Sequence, residues 1–325
     1  MASNRERYAH RLDDQPAADS EVTVLTVGKH DETWSRARAF PSLEELTLHE
    51  PSTEQLAWAG SLKSVKRMRI THARPRTIEF IGTMSGIEEL VLEYVSGFTD
   101  LAPLSALPAL RALHMENLRG VSDFGGLAGA ERLRYLAIYG TSDREQPISD
   151  LEFLRGLGEL EVLALWQVKC RAPYPAMLPA VGLRNLKVLR IHRSYLATEE
   201  YALLEEGLGG VEGASWGPHG TVARSQIELP ADDARARLTD ESIRSLHPEV
   251  SLHYDGKRFI ADPASRWFEF TGRGAGSVKC SSPNADAKCR EKSTHYTLMK
   301  HQARALVDRV NGRPLEGHPV RTAES

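Results

Sequence analysis

At 325 residues, with 41% apolar and 26% charged side chains, the chain has the apolar content for a real core and the length for one large domain or two ordinary ones. A net charge of −3 gives no bulk electrostatic signal for nucleic acid or a membrane surface, and no apolar run nears the roughly 20 residues of a membrane span. Three cysteines, Cys170, Cys280 and Cys289, are too few and too odd in number for a disulfide framework and fit a reducing compartment.

Residues 1–20, MASNRERYAHRLDDQPAADS, lack the apolar stretch of a secretory signal. They are expected to form a short disordered tail, and the protein is expected to be cytoplasmic. From residue 21 a six-residue unit recurs, apolar-x-x-apolar-x-apolar. It reads VTVLTV from Val22, LEELTL from Leu43, VKRMRI from Val65, IEELVL from Ile87 and LRALHM from Leu110. It continues as LRYLAI from Leu133, LEVLAL from Leu160, LKVLRI from Leu186 and a weak VEGASW from Val211. The successive separations are 21, 22, 22, 23, 23, 27, 26 and 25 residues. Such a period belongs to repeat proteins of the leucine-rich class.

Physical chemistry turns that spacing into structure. In the x-L-x-L portion the side chains alternate, so the segment is a short strand with its leucines inward. Before it, as in LEFLRGLGEL from Leu151, apolar residues fall every third position, which suits a 3₁₀ turn with one face on the same core. A single unit cannot bury its apolar side, so about nine of them stack. The predicted fold is an α/β solenoid, a curved parallel sheet on one side and short helical backs on the other, over residues 21–217.

Two stretches, FTDLAPLSALPALRALHM from Phe98 and ISDLEFLRGLGELEVLAL from Ile148, resemble the short internalin-type leucine-rich repeats, of pattern I-x-D-L-x-x-L-x-x-L-x-x-L-x-x-L-x-L. The resemblance implies protein recognition on the concave sheet and no reaction. One departure stands out. The family places Asn three residues after the last strand leucine, where this chain has Pro51, Ala73, Val95, Leu118, Thr141, Val168 and Ser194. The asparagine ladder is missing, so inward-facing backbone groups must be satisfied by other means.

Positions three, five and seven of L-x-x-L-x-L-x point away from the core. Their rows predict an apolar recess walled by Tyr135, Tyr139, Trp166, Val162 and Val188 around the small residues Ala137 and Ala164. His114, Glu116, Arg190 and His192 would rim it. Exposed aromatics with a polar rim are what binding hot spots look like. These nine residues are the candidate partner-binding set. The N-terminal half of the same face, Glu45, Arg67, Arg69, Glu89 and Glu93, reads as a solvated charged surface.

Near residue 217 the period ends. Residues 218–325 follow a different grammar, expected to give a small α+β cap over the open end of the solenoid. LTDESIRSLHPEV starts a helix at Thr239 or Asp240, and SLHYDGKRFI places Asp255-Gly256 between two alternating runs as a hairpin. WFEFTG reads as a strand. Ala285 to Val310 is a helix with Tyr296, Met299, Ala303, Leu306 and Val310 on one stripe. GRGAGS from Gly272 lacks the order of a phosphate-binding P-loop and reads as a turn. Cys280 and Cys289 have no C-x-x-C partner or nearby histidine set for zinc. Nor do they match the Cys-x-Asp site of the bacterial effector ubiquitin ligases that carry leucine-rich repeats. The resulting expectation is a non-enzymatic scaffold with no cofactor or metal, gripping a protein on its concave face. An alternative gives residues 218–325 a catalytic or ligand-binding role around Asp255, Trp267 and the glycine turn, or makes the chain a bacterial effector delivered to another cell.

Overall fold

The computed structural model describes residues 11–15 and 21–312. The first ten strands lie in the repeat region. They are β1 (Val24–Gly28), β2 (Glu45–His49), β3 (Arg67–Thr71), β4 (Glu89–Glu93), β5 (Ala112–Glu116), β6 (Tyr135–Tyr139), β7 (Gln146–Ile148), β8 (Val162–Trp166), β9 (Val168–Cys170) and β10 (Val188–Ile191). Eight of them form one parallel sheet in the order β1-β2-β3-β4-β5-β6-β8-β10. The register has no slip: equivalent positions of successive repeats pair directly, as in Leu46↔Met68, Met68↔Leu90 and Leu113↔Leu136. β7 and β9 form a separate parallel pair, which accommodates the extra residues of the 27-residue spacing.

The backs follow from the period-3 leucines. Leu151, Leu154, Leu157 and Leu160 are all buried around the 3₁₀ turn Glu152–Gly156. Comparable backs are the helices α1 (Thr53–Ala59), α2 (Glu79–Gly82), α3 (Ala102–Ser105) and α4 (Leu178–Val181). Ser52 caps α1 through a reciprocal box with Gln55. Coils pack so closely that a Cβ on Gly156 would lie 1.9 Å from the Ala128 carbonyl oxygen.

Three devices replace the asparagine ladder. Several of its positions, Ala73, Val95, Leu118 and Val168, are simply buried in the apolar core. Directly after the strands comes a column of residues in the left-handed region, Glu50, His72, Tyr94, Asn117 and Gln167, with φ between 48° and 56°. The N–H groups of the first four donate to the carbonyl of the last strand residue in the next coil: Thr71, Glu93, Glu116 and Tyr139, at 2.9–3.0 Å. Finally, the buried Gln146 accepts from the Leu118 N–H at 3.0 Å and donates to the Val121 carbonyl at 2.7 Å. These backbone groups are thereby satisfied without a repeated side chain.

Residues 11–15 differ from the expected tail. Arg11 bridges Thr26 beside β1, and Leu12 is fully buried in the solenoid core. The remainder of the expected tail, 1–10 and 16–20, lies outside the described residues, as does 313–325. At the other end, the weak ninth unit forms no strand. It makes one bridge, Val188↔Glu212, because Gly213 turns to φ 79° against the Leu189 carbonyl.

Helix α5 (Thr198–Gly207) closes that end, and Trp216 packs on Tyr201 with its indole N–H donating to the Ile191 carbonyl at 3.1 Å. Beyond it come β11 (His219–Ala223), β12 (Gln226–Glu228), α6 (Asp240–Leu246), β13 (Ser251–Leu252), β14 (Arg258–Ala261), β15 (Arg266–Phe270), β16 (Ser277–Lys279) and α7 (Ala285–Val310). They make two antiparallel sheets, β11-β15-β16 and β12-β14-β13. Thr239 caps α6, and Gly256 turns the β13–β14 hairpin at φ 80°, as the sequence predicts. Along α7, Ala303 and Val307 pack on Val181 and Leu203, so the helix lies over the solenoid end. Among the described residues no helix is long and apolar enough to cross a membrane.

Candidate functional site

The zero-slip register brings the predicted residues together. Glu116, Tyr139 and Trp166 are neighbours along one row. His114, Ala137, Ala164 and Arg190 form the middle row. Ala112, Tyr135, Val162 and Val188 form the third. Parallel strands hold these rows at a spacing of about 4.8 Å, so the side chains are fixed by the backbone rather than by loops.

Exposure differs from expectation in two respects. The middle row is closed over along most of its length: Thr47, Arg69, Val91, His114, Ala137 and Ala164 are all buried. His114, expected on the rim, is only 8% exposed. Its ring meets the Tyr139 ring edge-on at 4.8 Å, and its Nδ1 is buried without a hydrogen-bond partner among the described residues. The expected walls are also less open than the sequence predicts. Trp166 is 49% exposed, Tyr135, Tyr139, Val162, Val188 and Glu116 are half-buried, and Arg190 and His192 are exposed.

Tyr195 joins this group without having been predicted. Its ring lies 5.7 Å from Trp166 and 5.4 Å from His192. It sits in the loop after β10, where the strand pattern carries no information about direction. The Tyr135 and Tyr139 hydroxyls are pushed above their usual pKa by burial, so both stay neutral donors at physiological pH.

The N-terminal half of the face is less solvated than predicted. Arg69 is 3% exposed, and its Nε donates to Glu93 Oε2 at 3.1 Å, with Nη2 on the same oxygen. Arg67 pairs with Glu45 across β2 and β3 at 2.9 Å. Glu93, His114 and Glu116 bring ligand atoms within 4.8 Å of one another. The Arg69 cation already neutralises Glu93, which works against a metal ion there. The His114 imidazole, 3.8 Å from Glu116, is the main influence holding that carboxyl below its usual pKa; burial opposes it, and the Tyr94 hydroxyl and Arg69 add to it.

Among the described residues, the C-terminal module leaves the Trp166 side of the recess open. It docks on the edge of the sheet through the glycine turn. A Cβ on Gly272, at φ 124°, would lie 2.1 Å from Thr198 Oγ1. The Gly272 and Arg273 N–H groups donate to the Arg193 and Leu196 carbonyls at 2.8 and 2.6 Å. The Arg273 guanidinium reaches the Tyr195 and Val168 carbonyls and pairs with Glu145 at 2.8 Å. GRGAGS is therefore a clamp between module and solenoid.

No family model matches the chain, and no curated protein matches it. Among solved structures, an internalin from Listeria monocytogenes aligns at 22% identity over 52% of this chain and 48% of its own, with a TM-score of 0.41. A second internalin from the same organism aligns at 22% identity over 47% of this chain and 62% of its own, with a TM-score of 0.37. A leucine-rich-repeat protein from Leptospira interrogans aligns at 16% identity over 52% and 48%, with a TM-score of 0.33. The chain thus spans about half to three fifths of the length of these proteins. By its own coils, spaced 21 to 27 residues apart and stacked on an eight-stranded parallel sheet, the repeat region is a leucine-rich-repeat solenoid.

Proposed function

We propose that the chain is a non-enzymatic binding scaffold that captures a protein on the concave face of its solenoid. The observation that carries this reading is the half-exposed Trp166 on a rigid strand, flanked by Tyr139, Tyr195 and His192 and left open by the described residues of the C-terminal module. An aromatic side chain held in place by sheet register loses little entropy on binding, which is the property of a hot-spot anchor. Val162, Val188, Tyr135 and Tyr139 supply apolar area beside it. Glu116 on one flank and Arg190 and His192 on the other supply polar recognition, with His114 acting from beneath as the support of Tyr139.

The test is affinity capture with crosslinking from lysate of the source cell, comparing the natural chain with a Trp166→Ala, Tyr139→Ala double variant. A partner crosslinked to the wild type should be lost, since removal of two anchors costs about 2 kcal/mol or more each. A Trp267→Ala variant in the C-terminal module, where the indole instead stacks under Arg224 at 4.0 Å, should retain it. Equal capture by the double variant, with its circular dichroism unchanged, would refute the reading.

A further inference from the structure

A second site follows from the column of left-handed residues. At the carboxyl ends of β3, β4 and β5 the chain turns outward through three equivalent positions. His72, Tyr94 and Asn117 come first after the strands; Arg74, Ser96 and Arg119 stand two residues later. Together with Glu50 these seven residues line a cavity of about 270 Å³. The arginines stand on alternate coils with the serine coil between them. At about 4.8 Å per coil their backbones are roughly 10 Å apart, within the combined reach of two arginine side chains directed at one bound group.

The two arginines of this cavity are unpaired, although the carboxylates of Glu116, Glu93 and Asp143 lie near the Tyr94 hydroxyl at its margin. Among the described residues neither Arg74 nor Arg119 makes a side-chain hydrogen bond or an ion pair, whereas Arg67, Arg69, Arg193, Arg258 and Arg273 all do. The only acid in the lining is Glu50, on the coil farthest from Arg119. The wall is aromatic: the His72 ring stacks on Tyr94 at 4.9 Å with their planes 3° apart, and Tyr94 is itself exposed. The backbone is firm there. Ser96 is bridged to Arg119, its N–H donates to the Ala73 carbonyl, and a Cβ on Gly97 would strike the Pro75 carbonyl oxygen at 2.6 Å.

We infer that this cavity binds a phosphate monoester. Planar guanidinium forks match the oxygens of a phosphate and bind them in pairs. The Ser96 hydroxyl and Asn117 amide add neutral donors, and Tyr94 offers a ring face to an aromatic carrier of the phosphate. The arginine-rich cavity on the opposite edge of the coils provides the contrast. Arg111, Arg132, Arg134 and Arg155 line it together with Glu131 and Glu159, and its arginines are partly engaged by Glu161, Glu152 and the Pro108 carbonyl. Number of arginines therefore does not distinguish the two places; the two unpaired guanidiniums and the aromatic wall do.

Isothermal titration of the full chain with inorganic phosphate and with phenyl phosphate, at constant ionic strength, tests the inference. Phenyl phosphate should bind, and more tightly than inorganic phosphate. Arg74→Ala and Arg119→Ala should each weaken it about tenfold, and the double variant should abolish it, with thermal unfolding unchanged because both side chains are exposed. Arg119→Lys should restore part of the loss, since a lysine keeps the charge but not the fork. An Arg111→Ala, Arg134→Ala pair on the opposite edge should leave binding intact. Absence of binding to the wild type at millimolar phenyl phosphate would overturn the proposal. So would undiminished binding by the Arg74, Arg119 double variant, or equal loss in the opposite-edge pair.

Discussion

At the residue scale, the solenoid depends on polar side chains that do a neighbouring coil's hydrogen bonding. Gln146 is one and Glu200 another. Glu200 lies on the inward side of α5, where its two carboxylate oxygens accept from the Ala176 and Met177 N–H groups at 2.7 and 3.0 Å. Nothing in the sequence ATEEYALL marks Glu200 as buried and Glu199 as not; direction depends on how α5 docks. Burial is the largest influence on the Glu200 carboxyl and pushes its pKa above the ordinary 4.5, against the two backbone donors. An acid that binds its proton more tightly in the folded state favours folding most below its unfolded pKa. That contribution is lost as pH rises through the raised folded value. The unfolding free energy of the wild type minus that of Glu200→Gln, from urea titrations, should therefore fall as pH is raised from below 4.5 toward neutrality. A difference that stays flat or climbs would show that the backbone donors outweigh the burial.

At the element scale, strands and backs were readable because one simple constraint, apolar residues at a fixed spacing, acts in every coil. The 3₁₀ backs follow from leucines three apart, and the curved sheet follows from the alternation. What could not be read was how the ends are closed. The ninth unit has the apolar spacing of a strand, but Gly213 adopts a conformation that ends the ladder, and Trp216 and α5 take over. Leu12 has no periodic context, yet it fills the first coil's open edge. For α7 the stripe was legible, with Leu306 and Val310 packing at the seam and Val307 joining them as its more buried member. Its partner surface on α4 and α5 was not legible, since the join spans about a hundred residues of chain. Because Ala303 is fully buried against Leu203 and Val181, Ala303→Glu places an unpaired charge in that seam. It should cost about 3 kcal/mol or more. Hydrogen exchange should show faster opening of α4 and α5 while β2 to β5 stay protected. Uniform loss of protection through all coils would mean that α7 supports the entire solenoid rather than its end.

At the scale of the whole molecule, the apolar interior is divided. One continuous core runs from Leu12 through every coil to Trp216 and Tyr296. A separate small core, Leu229, Ile243 and Val250, lies between α6 and the β12-β14-β13 sheet. Another, Phe270, Val278 and Ala285, sits where the β11-β15-β16 sheet meets the start of α7. The β12 to β14 unit leaves the module and rejoins it within a few residues, from Ala223 to Gln226 and from Ala261 to Arg266. Its outer surface leaves Tyr254 and Leu246 exposed. A unit that shares little core with its host opens by itself, because its unfolding breaks few contacts elsewhere. The solenoid, by contrast, is a stack in which each coil rests on its neighbours. These two kinds of architecture make different predictions for one substitution. Ile243→Ala leaves a cavity in a core of three buried side chains, a loss of about 2–4 kcal/mol, which a core that small cannot absorb. Hydrogen exchange should become rapid across 226–261 while the protection of β1 to β10 is unchanged, and the main unfolding transition should keep its midpoint. The same substitution should leave capture by Trp166 untouched, since the concave recess and the outlying unit share no core. If instead the solenoid lost protection together with 226–261, the cores would be energetically one, and the small unit would belong to the cap rather than hang from it.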